Sequence, residues 1–77
     1  MVKYKLKKVD IFESKKDMDG DPVTELWDGK VRILRGDYYH DKIDQRIEGF
    51  IAGLQYTGAV VEFSESRIAS RARYDGG

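Results

Sequence analysis

Thr24-Glu25-Leu26-Trp27-Asp28-Gly29-Lys30-Val31-Arg32-Ile33-Leu34 is the stretch whose reading decides the fold. Two runs rich in aliphatic, β-branched and aromatic residues flank Asp28-Gly29. An Asp-Gly pair tolerates the positive φ angles of a type I′ turn, whose twist matches that of paired strands. The expectation is a β-hairpin turning at Asp28 and Gly29. Trp27 then faces Lys30, Leu26 faces Val31, and Glu25 faces Arg32 as a cross-strand ion pair.

Toward the N-terminus, Val2, Tyr4 and Leu6 alternate with Lys3, Lys5 and Lys7. That period of two marks a half-buried strand. Past Lys7-Lys8 the apolar phase moves to odd numbers, with Val9 and Ile11. Either a β-bulge turns the strand there, or one straight strand is buried on both faces. Residues 14–22, Ser-Lys-Lys-Asp-Met-Asp-Gly-Asp-Pro, are turn formers and charges, and read as a long loop.

Toward the C-terminus, Gly36-Asp37 ends the second hairpin strand and a helix begins, with Asp37 or Asp41 as N-cap. Tyr39, Ile43, Ile47, Phe50, Ile51 and Leu54 recur at steps of three and four and form one apolar stripe. The helix ends near Tyr56, with Gly58 as the left-handed residue beyond it. Ala59-Val60-Val61-Glu62-Phe63 reads as a short strand and Ser64-Glu65-Ser66 as a turn. A last strand follows, in which Ile68, Ser70, Ala72 and Tyr74 alternate with Arg67, Ala69, Arg71 and Arg73.

The order is β-β-β-α-β-β. The fold class is α+β: a single, mostly antiparallel sheet with one amphipathic helix packed on one face. The connection through the helix suits a right-handed crossover between parallel strands.

A chain of 77 residues with no cysteine is one domain near the lower size limit for a core without staples. Disulfides and zinc–thiolate sites are excluded, and a reducing cytoplasm is the simplest home. No apolar run exceeds three residues, so no membrane span is expected, and the alternating start does not read as an export signal. Fourteen basic and fourteen acidic residues cancel, which argues against bulk affinity for nucleic acid.

The charges are nevertheless sorted along the chain. Lysines dominate residues 1–16. Asp17, Asp19, Asp21, Glu25 and Asp28 follow with no cation among them, and Lys30, Arg32 and Arg35 then stand unopposed, as do Arg67, Arg71 and Arg73.

Familiar chemistries fit poorly. Asp17, Asp19 and Asp21 have the spacing of calcium-loop oxygen ligands, but Pro22 occupies the position that needs a glycine, and Asp28 replaces the bidentate Glu. Asp21 with Asp28-Gly29-Lys30 resembles the acid and lysine set of metal-dependent nucleases, yet its second acid falls on a hairpin tip. His40, the single histidine, is spaced to pair with Asp44 on a helix but has no nucleophile or pocket to serve. No glycine-rich phosphate loop follows a strand. No enzyme activity, metal or cofactor is expected.

Binding is the expected function. The leading reading is a small cytoplasmic regulator or inhibitor, with the economy of phage or mobile-element proteins, that docks on a larger protein. Its candidate contacts are Asp17, Asp19, Asp21, Tyr38, Tyr39 and His40. An acidic loop of this kind suits a basic, nucleic-acid-handling partner. The alternative is a nucleic-acid-binding module in which Lys3, Lys5, Lys7, Arg67, Arg71 and Arg73 share the open face of the sheet. Gly49 and Gly53, each costing about 1 kcal/mol in a helix relative to alanine, mark close packing on the sheet, simple tolerance of glycine, or a homo-oligomer contact.

Overall fold

The alternating and helical patterns resolve into β1 (Lys3–Phe12), β2 (Val23–Asp28), β3 (Val31–Asp37), α1 (Ile43–Tyr56) and β4 (Val60–Ala69). This is a computed structural model, and the structure describes residues 2–12 and 22–69. Asp17, Asp19, Asp21, Arg71 and Arg73 lie outside the described residues, as do the rest of the acidic loop before Pro22 and the end of the expected last strand.

The four strands form one sheet in the order β3-β2-β1-β4. β1–β2 and β2–β3 are antiparallel and β1–β4 is parallel, so the α+β class holds with a mixed sheet. α1 carries the chain from the β3 edge to the β4 edge, and β3 and β4 run parallel.

The hairpin forms one residue further on than the Asp-Gly reading places it. Asp28 pairs with Val31, leaving Gly29 and Lys30 as the two turn residues. Gly29 has φ +60° and Lys30 is not among the positive-φ residues, the pattern of a turn with glycine in first place. Trp27 therefore faces Arg32. A bulge follows, and Leu26 faces Leu34 while Glu25 faces Arg35. Ile33 is the extra residue. The bulge brings the consecutive Ile33 and Leu34 both against the core, which strict alternation does not allow. Glu25 and Arg32 still meet, at 3.2 Å, as a diagonal pair.

β1 is straight. Its pairing with β4 runs without a shift from Lys3 opposite Val60 to Phe12 opposite Ala69. Tyr4, Leu6, Lys8, Asp10 and Phe12 thus face the helix, and Lys3, Lys5, Lys7, Val9 and Ile11 face away. Ser64-Glu65-Ser66 is strand, not turn. Serine favours the pleat weakly, but a continuous ladder on β1 pairs all three residues with Lys7, Lys8 and Val9. Two expected strands become one of ten residues.

The core is small: Leu6, Leu26, Ile43 and Ile47, with Ile33, Leu34, Phe50, Ile51, Leu54 and Val61 packed around them. α1 is shorter than its apolar stripe suggests. Its N-cap is Lys42, in the left-handed region with φ 51°, and no side chain caps it. Asp37 and Asp41 are engaged with each other instead. Tyr39 precedes the helix and is exposed, so it does not belong to the stripe. The C-terminus follows expectation: Gly58 has φ +90°, Ala59 N–H donates to Leu54 O at 3.2 Å and Gly58 N–H donates to Gln55 O at 3.0 Å.

Lys8, in phase with Leu6, ties three elements together. Its Nζ lies 3.2 Å from Asp44 of α1, 3.7 Å from Glu65 of β4 and 4.0 Å from Asp10. Burial alone pushes its pKa down, but Asp10, the Asp44 hydrogen bond and charge, and Glu65 outweigh it, so the ammonium is held above its ordinary value. A raised lysine pKa contributes stability that is fully present below the unfolded value, about 10.4. It is lost as pH rises through the folded value. Chemical denaturation across the alkaline range should therefore show wild type losing stability more steeply than Lys8→Met. Superimposable alkaline limbs would sink this assignment.

Candidate functional site

The connection between β3 and α1 is a locked loop. The Asp37 carboxylate accepts the backbone N–H groups of His40 and, at 3.2 Å, Asp41. In return, the Asp41 carboxylate accepts the Asp37 N–H at 2.9 Å. Aspartate suits this role because its short side chain closes turns on nearby backbone. Gly36 makes room for it. A Cβ built there stands 2.6 Å from Asp41 Cβ, so no larger residue fits without displacement.

The loop presents Tyr38, 52% exposed, and Tyr39, 66% exposed, as an edge-to-face pair with ring centroids 5.1 Å apart. Beside them runs an open groove of about 370 Å³, walled by Lys42, Asp44, Gln45 and Glu48. His40 is exposed and lies ahead of the helix, so the four-residue helical spacing to Asp44 does not operate. Asp44 pairs with Lys8 instead. Tyr38, Tyr39 and His40 thus come together on one projection, as the docking reading requires of them. The sequence reading took Gly36 for a strand end and Asp37 or Asp41 for the helix cap, and missed their role in locking the loop. Their signal is two aspartates four apart, directly after a glycine.

The sheet face away from the helix is the second feature. Lys3, Lys5 and Lys7 are exposed there in a row. Arg67 does not join them. It faces Asp10 across the β1–β4 pair, on the helix side, with its guanidinium 4.8 Å from the centroid of the Phe12 ring. The strand phase is inverted because Ile68, the apolar neighbour, faces Ile11 on the open side. The row is also partly neutralised: Lys3 lies 2.8 Å from Glu62, and that hydrogen bond and charge hold the Glu62 carboxyl below its ordinary pKa.

Next to the lysines, Val9, Ile11, Val23, Trp27 and Ile68 are half-buried on the same face. Glu25 is buried among them, accepting from Trp27 Nε1 at 3.0 Å and Arg32 Nη1 at 3.2 Å. Arg35 stands 3.8 Å from the same carboxylate.

Gly49 and Gly53 lie on an open face of α1. A Cβ added to either has nothing within 4 Å. Among the described residues nothing packs closely against them, so no such contact offsets their cost. Among the described residues, no three His, Asp or Glu side chains are grouped to hold a metal, and no helix is long and apolar enough to cross a membrane. No protein-family model matches this chain, no curated protein matches it, and no solved structure matches it.

Proposed function

We propose that the protein is a small protein-binding module, a regulator or inhibitor, that docks on a larger partner through the Tyr38-Tyr39-His40 loop. One observation carries the reading: two adjacent tyrosines, each more than half exposed, project from a loop held by mutual Asp37 and Asp41 hydrogen bonds. Tyrosine buries a large, stiff surface at small entropic cost and is enriched among the residues that dominate interfaces. A loop already ordered in the free protein does not have to be ordered on binding. The cysteine-free chain suits a reducing compartment such as the cytoplasm.

The row of Lys3, Lys5 and Lys7 supports a second reading, a nucleic-acid surface. It is the weaker one. Arg67 stands on the other face, Glu62 neutralises Lys3, and among the described residues only Trp27 offers a ring for base stacking there.

The test is capture from an extract of the source cells with the immobilised protein, comparing wild type with Tyr38→Ala/Tyr39→Ala. Thermal unfolding first establishes that the variant folds. A stoichiometric protein partner should be retained by wild type, and its affinity should fall about 30-fold in the variant, the loss of roughly 2 kcal/mol typical of an anchor. Undiminished affinity removes the loop from the interface. If the retained species is instead nucleic acid, and Lys5→Glu/Lys7→Glu releases it, the second reading replaces the first.

A further inference from the structure

The groove beside the tyrosine pair has a chemistry of its own. Gln45 and Asp44 lie three and four positions before Glu48 on α1, so both neighbour it on the helix surface. Tyr38, Tyr39 and Lys42 complete the lining. At about 370 Å³ the groove is at the small end of ligand clefts, which run from roughly 300 to 1,000 Å³. It suits a long side chain, not a whole helix.

The two tyrosine ring planes are 84° apart, the edge of one turned to the face of the other. The ring that gives its edge therefore keeps both of its own faces clear of its neighbour. An aromatic face is electron-rich and attracts cations. The charges beside the rings are unequal. Asp44 is already engaged, 3.2 Å from Lys8. Glu48 is exposed and, among the described residues, makes no ion pair. Lys42 stands six residues before Glu48, roughly 9 Å away along the helix axis at about 1.5 Å per residue. The groove is thus positive toward Lys42 and negative toward Glu48.

We infer that the groove receives an arginine side chain of the partner, its guanidinium stacked on a tyrosine ring and paired with Glu48. The inference rests on the docking reading above and names the chemistry of the occupant. Arginine fits better than lysine. Its planar guanidinium stacks on aromatic faces and is more weakly hydrated than an ammonium. Its five donors serve a carboxylate and an amide oxygen together, here Glu48 and Gln45. Lys42 repels a cation at its own end, which sets the direction in which the partner's segment lies.

A random heptapeptide display library, selected on the folded 77-residue chain, tests the assignment. Peptides whose binding is lost in Tyr38→Ala/Tyr39→Ala should share an arginine. Replacing that arginine by citrulline keeps the planar shape and removes the charge. It should weaken a selected peptide about fivefold or more, and Glu48→Gln should do the same. Together the two changes should cost little more than either alone, because both remove one contact. Glu48 is exposed, so Glu48→Gln should keep the wild-type thermal midpoint. Tyrosine-dependent peptides that lack arginine, or that bind Glu48→Gln as tightly as wild type, overturn the arginine and leave the docking loop standing. A library that yields no tyrosine-dependent peptide also overturns the assignment, and capture of the partner then decides the docking loop separately.

Discussion

Leu26→Ala should lower the thermal midpoint by about 12–24 °C. Leu26 is fully buried at the centre of the sheet, among Leu6, Ile43 and Ile47. Removing its isobutyl group forfeits the transfer free energy of the lost carbons and leaves a cavity between the sheet and α1. The cost is roughly 2–5 kcal/mol for such a site, and about 3 kcal/mol gives the midpoint shift stated, at about 4–8 °C per kcal/mol for a domain of this size. The effect is severe because the whole chain, at 77 residues, holds only about 4–12 kcal/mol. Leu26→Met, which conserves volume, should cost under about 1.5 kcal/mol. Calorimetry that finds Leu26→Ala within a few degrees of wild type would show that stability resides elsewhere.

Gly36→Ala should cost about 1–3 kcal/mol, the range for overpacking a close contact. Gly36 is not among the positive-φ residues, so alanine meets no backbone strain there. The obstacle is its methyl group, which would sit 2.6 Å from Asp41 Cβ and 3.0 Å from Asp41 Cγ and Oδ2. Asp41 Cβ is bonded directly to the backbone and cannot swing away as a side-chain tip does. Relief requires moving the loop, which breaks the Asp41 acceptor for Asp37 N–H and loosens the platform under Tyr38 and Tyr39. A double-mutant cycle isolates the cause. In an Asp41→Gly background the alanine should cost little, whereas Asp41→Ala, which keeps the offending carbon, should give no relief. Equal costs in both backgrounds would refute the steric account. If the loop is the docking element, Gly36→Ala should also weaken partner binding without touching the partner.

Much of the architecture is written in local pattern. The alternation of Tyr4 and Leu6 with lysines, the glycine at the hairpin tip, the stripe from Ile43 to Leu54 and the left-handed Gly58 each act over a few residues. Each is read correctly from those residues alone. Where two local readings compete, the sequence is silent. Lys7-Lys8 fits a bulge or a straight strand equally, and only the unbroken pairing of β1 with β4 settles it. The Asp-Gly pair at the hairpin tip reads as a turn on Asp28-Gly29, whereas the structure turns on Gly29-Lys30. The second arises because it brings Ile33 and Leu34 together onto the core through a bulge, a gain in burial invisible to turn propensity.

The candidate site divides the same way. Sequence order puts Tyr38, Tyr39 and His40 after a strand, but the apolar stripe assigns Tyr39 to the helix, and the structure places all three ahead of it. That they are held out from the surface follows from Asp37 and Asp41 bonding to loop backbone, where capping preference assigned them to the helix. The expected basic face needed Arg67 in phase with the lysines of β1. Phase in a sheet is set by register with a neighbouring strand 57 positions away in sequence, Asp10 against Arg67, and no local pattern encodes it.

By itself, then, the sequence determined the α+β class and the element types and order through β4. These depend on periodicity and backbone preference within a few residues. Tertiary structure decided which way each strand faces and which charges meet. Those depend on long-range pairing, in which a shift of one residue moves every side chain of a strand to the opposite face.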